Sequence, residues 1–483
     1  MTRSAGDSIA HVPYPMTVDV GNLSAGDRLA IQHILAAFGG VDKIFRRMTL
    51  QEDTEGPFIY DPQRGREFYP RDVTQGELDL YLRVHPQKKQ ELLGETTAIQ
   101  RSGEDFVAVP YSELYAQESG AIARELAEAA KTADDMRFRH FLSQSSDSFI
   151  TGDYDKSDEA WVWVGENLQE ATIELTVGFH ERDLDERWGI KRSVQGIVGL
   201  VNRRESLKLR AIQQELRSFD SVLGRKYGYI PNPVRVVMVA VDQIECAGWA
   251  AYHLVPSAYL LPNNPDFRNI YGGKQVFSWD ILRGRLELVT KPIGLQVLPQ
   301  RYHDAINEEL FKLFVAAHEC GHGTGFQFYG NDFNAYALPF EEGRADVVGI
   351  YAILAGAGPG RRILTLQAYK IVILHLVDGL RQIRVNPKGM HAVGSIFQYN
   401  WLTRTGALRL ENGAMHFEPG LFLGSYATLC DELYRISSSK QEEEADKFIK
   451  EWGLPCEELV TLAQRFTDLP RDLDPRFEIT GMA

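Results

Sequence analysis

Apolar residues return at helical spacing in several long stretches of the chain. In "DRLAIQHILAAFGGVDKIFRRM" (residues 27–48) they recur every three or four positions, and "YSELYAQESGAIARELAEAAKTADDMRFRHFL" (111–142) reads as long exposed helices rich in Ala, Glu and Arg. Between them, the Pro, Gly and Asp content of "EGPFIYDPQRGREFYPRDV" (55–73) marks loops. Alternating and β-branched residues in "WVWVGENLQEATIELTVGF" (161–179) predict strands, and "RVVMVAVDQIECAGWAAYHLVPSAYLLPNNPDFRNIYG" (235–272) predicts further short strands and a Pro/Asn-rich loop. After about residue 300 the pattern turns helical. "YHDAINEELFKLFVAAHECGHG" is amphipathic, with Gly323 and Gly325 as its stop. "PFEEGRADVVGIYAILAGAGPG" starts with Pro in a plausible first turn and ends in Gly and Pro, and "LTLQAYKIVILHLVDGLRQIR" is a third, strongly apolar helix. No internal repeat or low-complexity tract stands out. The pattern is that of an α+β protein whose later part is mainly helical.

Length and charge narrow the function classes. A chain of 483 residues is long enough for two or three domains and for a substantial core. The 44% hydrophobic and 24% charged residues are ordinary for a soluble globular protein. Lys plus Arg number 52 against 66 Asp plus Glu, a formal charge of −14, which argues against nucleic acid or an anionic membrane as partner. The first thirty residues contain no apolar core of a secretory signal, and runs such as "YKIVILHLV" fall far short of the roughly 20 residues a membrane span needs. Four cysteines (Cys246, Cys320, Cys430, Cys456) occur without a C-x-x-C pair, so a reducing cytoplasm is the expected compartment. Cys320 reads as a small, half-buried helix residue.

The chemistry is concentrated in "AAHECGHGTG" (316–325), which contains H-E-x-x-H. Residues at i and i+4 share a helix face, so His318 and His322 can reach one tetrahedral ion, with Glu319 placed to take a proton from water beside the metal. Such a motif arises by chance on the order of a few times per hundred chains of this composition, so it needs support. Twenty residues after His322 comes "FEEGRADVV", with Glu341, Glu342 and Asp346 on a second predicted helix. One of these carboxylates can supply the third protein ligand of a catalytic zinc site, while its neighbours hold the histidines by their outer N–H groups.

"HECGHGTG" followed by "EEGRADVVGIY" resembles the paired signature of dipeptidyl peptidase III, the M49-type zinc peptidases. Their first motif is usually H-E-x-x-G-H and their second E-E-C-R-A-E. This chain has one residue fewer in the first, and Gly343 and Asp346 in place of Cys and Glu in the second. The resemblance implies one Zn2+ per chain held by His318, His322 and Glu342, with Glu319 as the base and Glu341 and Asp346 bracing the ligands. The five-residue spacing needs no bulge to bring the histidines together. "VGFHERDLDERWGIKRSVQGIVGLVN" is similar to the family segment that supplies a Glu for the substrate's amino terminus and then a Tyr. Glu181 matches the Glu, and Asp183 stands where the Tyr is expected. "AYLLPNNPDFRNIYGGKQV" is similar to the Asn-bearing substrate loop, with Asn263 matched and Leu260 replacing the other Asn. "GMHAVGSIFQ" resembles the segment with a substrate-facing His, here His391, with Ser395 replacing an Arg. The likeness runs over roughly residues 160 to 400.

From this follow two lobes around a cleft, one mainly helical and zinc-bearing, the other mixed with a strand-rich core. The expected division is residues 1–200 in the mixed lobe with 247–290 returning to it, 201–246 and 291–465 in the helical lobe, and 466–483 as a C-terminal tail. The implied activity is hydrolysis of an oligopeptide near its amino terminus, with His391 steadying the oxyanion. Leu260, Asp183 and Ser395 keep open a zinc enzyme acting on a small amide, ester, lactone or isomerisable metabolite. A catalytically silent zinc-binding protein is the third alternative, although structural zinc normally has four protein ligands and only three are evident.

Overall fold

The computed structural model describes residues 11–50, 67–182, 184–185, 187–231, 233–252, 256–325, 337–356, 368–439 and 441–482. Its strands, in chain order, are β1 (Val12–Asp19), β2 (Thr97–Ser102), β3 (Asp105–Pro110), β4 (Ile173–Glu181), β5 (Ser193–Val201), β6 (Val236–Gly248), β7 (Ala258–Leu261), β8 (Gly273–Ser278), β9 (Leu408–Glu411), β10 (Ala414–Phe417) and β11 (Leu473–Thr480). Five of them form the central sheet, in the order β4-β5-β6-β8-β7. All its neighbours run antiparallel except β6 and β8.

This sheet is buried on both faces, and the period of two along its strands feeds two separate cores. Val237, Val239 and Val241 of β6 and Val276 of β8 pack into one core with the helices of the first half of the chain. The intervening Met238 and Ala240 of β6 and Phe277 of β8 pack into the other, with the helices that follow residue 300. The sheet is thus the wall between a mixed lobe and a mainly helical one. Truncating a side chain such as the fully buried Phe45 of the mixed lobe should cost about 3–5 kcal/mol.

The long helix of the mixed lobe, Ala25–Met48, begins where the Ser24 side chain accepts from the Asp27 N–H and ends with Arg46 and Arg47, which suit its dipole. It buries the stripe that its periodicity predicts, including Ile31, Ile34, Phe38, Val41 and Phe45. Elsewhere pattern and structure part. "WVW" in 161–163 alternates, yet Trp161 and Val162 end the Asp155–Trp163 helix, and the strand starts only at Ile173. β6 lies in the stretch expected in the helical lobe but pairs into the sheet between β5 and β8. The segment expected as a tail carries β11, which pairs in parallel with β1 and ties the two ends of the chain together. Among the described residues, no helix is long and apolar enough to cross a membrane.

Candidate active site

The Glu308–His322 helix carries the motif. Asn307 caps its first turn by accepting from the Leu310 N–H, and its cap at Gly323 lets the chain turn away through Gly325 in the left-handed region. The Ala337–Leu354 helix crosses it closely. A Cβ at Gly321 would collide with the Ala345 carbonyl, so glycine there is what allows the two backbones to meet. The same argument explains Gly343, a departure from the family pattern. A Cβ at 343 would strike the Phe397 ring, and Gly343 and Gly394 face each other where Ala337–Leu354 meets the Met390–Arg404 helix. That contact brings His391 to the other two helices.

The result is a triangle of acceptor atoms. His318 Nε2 lies 3.1 Å from His322 Nε2, and Glu342 Oε2 lies 3.4 Å and 3.5 Å from the two nitrogens. The outer nitrogens are engaged elsewhere: His318 Nδ1 donates to Asp346 Oδ1 at 2.8 Å and His322 Nδ1 to Glu341 Oε1 at 3.2 Å. Both Nε2 atoms therefore point inward. Glu342 Oε2 is buried without a well-formed hydrogen bond. Three converging ligand atoms repel unless a cation, either a proton or a metal ion, lies among them, so the donor set fits a metal ion. His391 Nδ1 is 3.0 Å from the same Glu342 oxygen, and His318, Glu342 and His391 together could also hold an ion.

The electrostatics agree. Burial disfavours the charged form of His318, but the Asp346 carboxylate and its hydrogen bond outweigh burial and push it up to about 10. His322 is driven up well above its ordinary value against burial by Glu342 and Glu341. Burial would raise Glu342, yet the neighbouring His391 and His322 hold it well below the usual carboxylate range. The pocket is built to stabilise positive charge between these side chains.

The bracing residues form a second layer. The fully buried Arg344 donates to both Glu341 oxygens, at 2.8 Å from Nε and 2.6 Å from Nη2. Gln398 Nε2 donates to Asp346 Oδ2 at 3.3 Å, and its Oε1 accepts from the Tyr426 hydroxyl. Sequence reasoning missed Arg344, Gln398 and the buried His375, whose Nε2 lies 3.9 Å from Asp346 Oδ2. Arg344 had a signal, since it sits at i+3 from Glu341; the other two come from distant helices.

Glu319 lies beside the triangle, and its carboxylate accepts from Gln275 of β8. A cavity of about 290 Å³ opens here, lined by His318, Glu319 and His391 and walled by Phe311, Phe314 and Arg381. The two residues matched to the substrate's amino terminus sit together but away from that cavity lining. Asn263 Nδ2 donates to the His180 carbonyl at 3.1 Å, and Glu181 Oε1 accepts from Gln195 at 3.2 Å. Leu260 lines a smaller cavity of about 70 Å³ that also touches Glu319 and Cys320. Asp183 falls outside the described residues.

A model of peptidase family M49 matches residues 73–332, more than half of the chain. The chain belongs to peptidase family M49. Its fold is that of DPP III from Caldithrix abyssi, with a TM-score of 0.82 at 23% identity over 97% of each chain. Dipeptidyl-peptidase III from Corallococcus sp. strain EGB is similar too, with a TM-score of 0.79 at 22% identity over 97% of this chain and 95% of that one. Among curated proteins, Nudix hydrolase 3 of Arabidopsis thaliana is 21% identical over 451 residues, which are 86% of this chain. The chain spans 58% of that relative's length. The likeness to both solved structures agrees with the α+β fold expected from the sequence.

Proposed function

We propose that this M49 peptidase is a zinc enzyme that cleaves oligopeptides near the amino terminus. The observation that carries the reading is the triangle of His318 Nε2, His322 Nε2 and Glu342 Oε2, with edges of 3.1, 3.4 and 3.5 Å. Ligand atoms about 2.0–2.1 Å from a tetrahedral zinc ion would lie about 3.3–3.4 Å from one another. Three protein ligands leave one position open, as catalytic sites require.

Bound there, zinc supplies a Lewis acid for the scissile carbonyl and makes water acidic enough to attack at neutral pH. Glu319 takes the proton from the attacking water and returns it to the leaving amine. Asp346 and Glu341 hold the two imidazoles in the tautomer whose Nε2 can bind metal. His391, with Nδ1 against Glu342, keeps Nε2 for the oxyanion that develops on the substrate. Glu181 and Asn263 clasp the substrate's ammonium, a charge-assisted contact.

The second reading, a zinc enzyme for a small amide or ester, is favoured by Leu260, which lines the cavity beside Glu319 without offering a hydrogen bond. Free and amino-terminally acetylated peptides of about four to eight residues separate the two readings, with zinc-loaded protein and released dipeptide as the readout. Cleavage of the free peptide alone is expected, and Glu181→Ala should lower kcat/KM on the order of a hundredfold. If neither peptide is cut across neutral pH, peptide hydrolysis falls. Cutting of the acetylated peptide would keep a zinc protease but remove the ammonium clasp.

A further inference from the structure

The base proposed above is held from across the molecule, by the sheet. Alternation along β8 sends Lys274 and Val276 toward the mixed lobe, while Gln275 and Phe277 face the helical one. Gln275 is only 2% exposed, and its Nε2 stands 3.0 Å from Glu319 Oε2 and 3.1 Å from the Glu319 carbonyl oxygen. Both partners are acceptors, so the amide must present its nitrogen to them; its oxygen would be repelled.

The second bond has a backbone cause. In a regular helix the Glu319 carbonyl would accept from the Gly323 N–H, but that N–H turns to Cys320 at 3.0 Å as the helix closes. The carbonyl is thereby released from the helix, and Gln275 meets it. One buried amide grips the main chain and the carboxylate of the same residue, which removes rotamer freedom from a side chain that would otherwise sample several orientations. Leu260, the cross-strand partner of Gln275, packs beside this grip and lines the same small cavity.

We propose that Gln275 is a positioning residue for Glu319, fixing the carboxylate for proton transfer from the sheet face that borders the helical lobe. The inference rests on the reading of Glu319 as the base. Its rival is purely structural, in which Gln275 only satisfies a helix carbonyl.

The test pairs Gln275→Met, which keeps length and removes the donor, with Glu319→Gln and Glu319→Ala. On a free oligopeptide, Q275M should lower kcat about 10- to 100-fold with KM changed by less than about threefold, as expected when a reacting group is loosened rather than removed. Bound zinc per chain should not change, and Q275M should cost nothing further in the Glu319→Gln background. In metal-free protein, Q275M should lower the melting temperature, and by less in the Glu319→Ala background, where one of the two bonds is already gone. Should Q275M fail to fold, Gln275→Asn keeps an amide on an arm one methylene shorter and is expected to give the same split.

A folded variant that melts earlier but turns over at the wild-type kcat would overturn the proposal in favour of the structural role. Equal melting shifts in the wild-type and Glu319→Ala backgrounds would overturn it as well, because the carboxylate bond would then be absent. Failure of the underlying reading looks different: Glu319→Gln would keep full activity, or the wild-type protein would cut no peptide at all.

Discussion

On the mixed-lobe face of the sheet, the fully buried Lys274 donates to Glu174 Oε2 at 2.8 Å and to the Val164 carbonyl at 3.2 Å, with its ammonium 4.0 Å from the centre of the Trp161 ring. On the helical side, His318, His322 and Glu342 are partly buried, and their inner atoms converge on one another. The first cluster brings its own cation and closes on itself. The second has its outer atoms satisfied by Asp346 and Glu341 and its inner atoms turned on a common point. Burial of charge alone therefore does not mark a functional site in this molecule. What marks it is convergence of like groups whose other ends are braced.

The largest expected effect lies on the helical side. Glu319→Gln should slow peptide turnover by about three to four powers of ten while zinc remains bound, because it removes the proposed base and leaves the proposed ligands in place. Zinc analysis and kcat on the same preparation check it. Loss of zinc in a folded variant would mean that Glu319 belongs to the ligand set.

On the mixed-lobe side the effect is on stability. Lys274→Met leaves Glu174 buried without its cation, which should cost about 3–5 kcal/mol. Burial already works against both charges: it draws Lys274 down to about 8 and raises Glu174, and each partner offsets part of that for the other. The double change Lys274→Met with Glu174→Leu removes both charges and should return to within about 1 kcal/mol of the wild type. Urea unfolding of the metal-free proteins is the measurement. A double variant as unstable as the single one would show that the pair is tied into the site on the opposite face, through neighbouring Gln275.

How far these two regions could be read in the sequence follows from how local they are. The histidines at i and i+4, and the carboxylates at 341, 342 and 346, lie within single helices, so spacing alone placed them on common faces. Gly343 stood out only as a departure; its reason, the Phe397 ring and Gly394, comes from a helix some fifty positions on. Gln275 is 44 positions from Glu319 and carries no charge or motif to announce it. Lys274 lies just past the stretch whose pattern predicts short strands, and its partner lies 100 positions away. β11 escaped for a related reason. "LDPRFEIT" is broken by a proline and three charges, and its pairing with β1 joins opposite ends of the chain. The alternating "WVW" failed the other way, because three residues cannot distinguish a strand from the buried end of a helix.

The smallest effects separate the two braces of the metal triangle. Asp346→Asn keeps an oxygen that can accept from His318 Nδ1 and loses only the charge, so zinc affinity should fall about 10- to 100-fold, measured by competition with a chelator. The amide NH2 that takes the place of Asp346 Oδ2 faces the Gln398 Nε2 donor, so the metal-free protein should lose some stability too, by about 1–3 kcal/mol. Glu341→Gln removes the same kind of brace from His322 but also strips the fully buried Arg344 of its carboxylate. The guanidinium keeps the amide oxygen of the new Gln and the carbonyls of Thr324 and Gly321, but not the charge it was paired with. That variant should therefore lose zinc affinity to a similar degree and lose more folding stability, since a buried cation gives up the carboxylate it is paired with. Equal metal-free stability in the two variants would mean that Arg344 does not depend on Glu341, and that the helical site, like the Lys274 pair, closes without its ion.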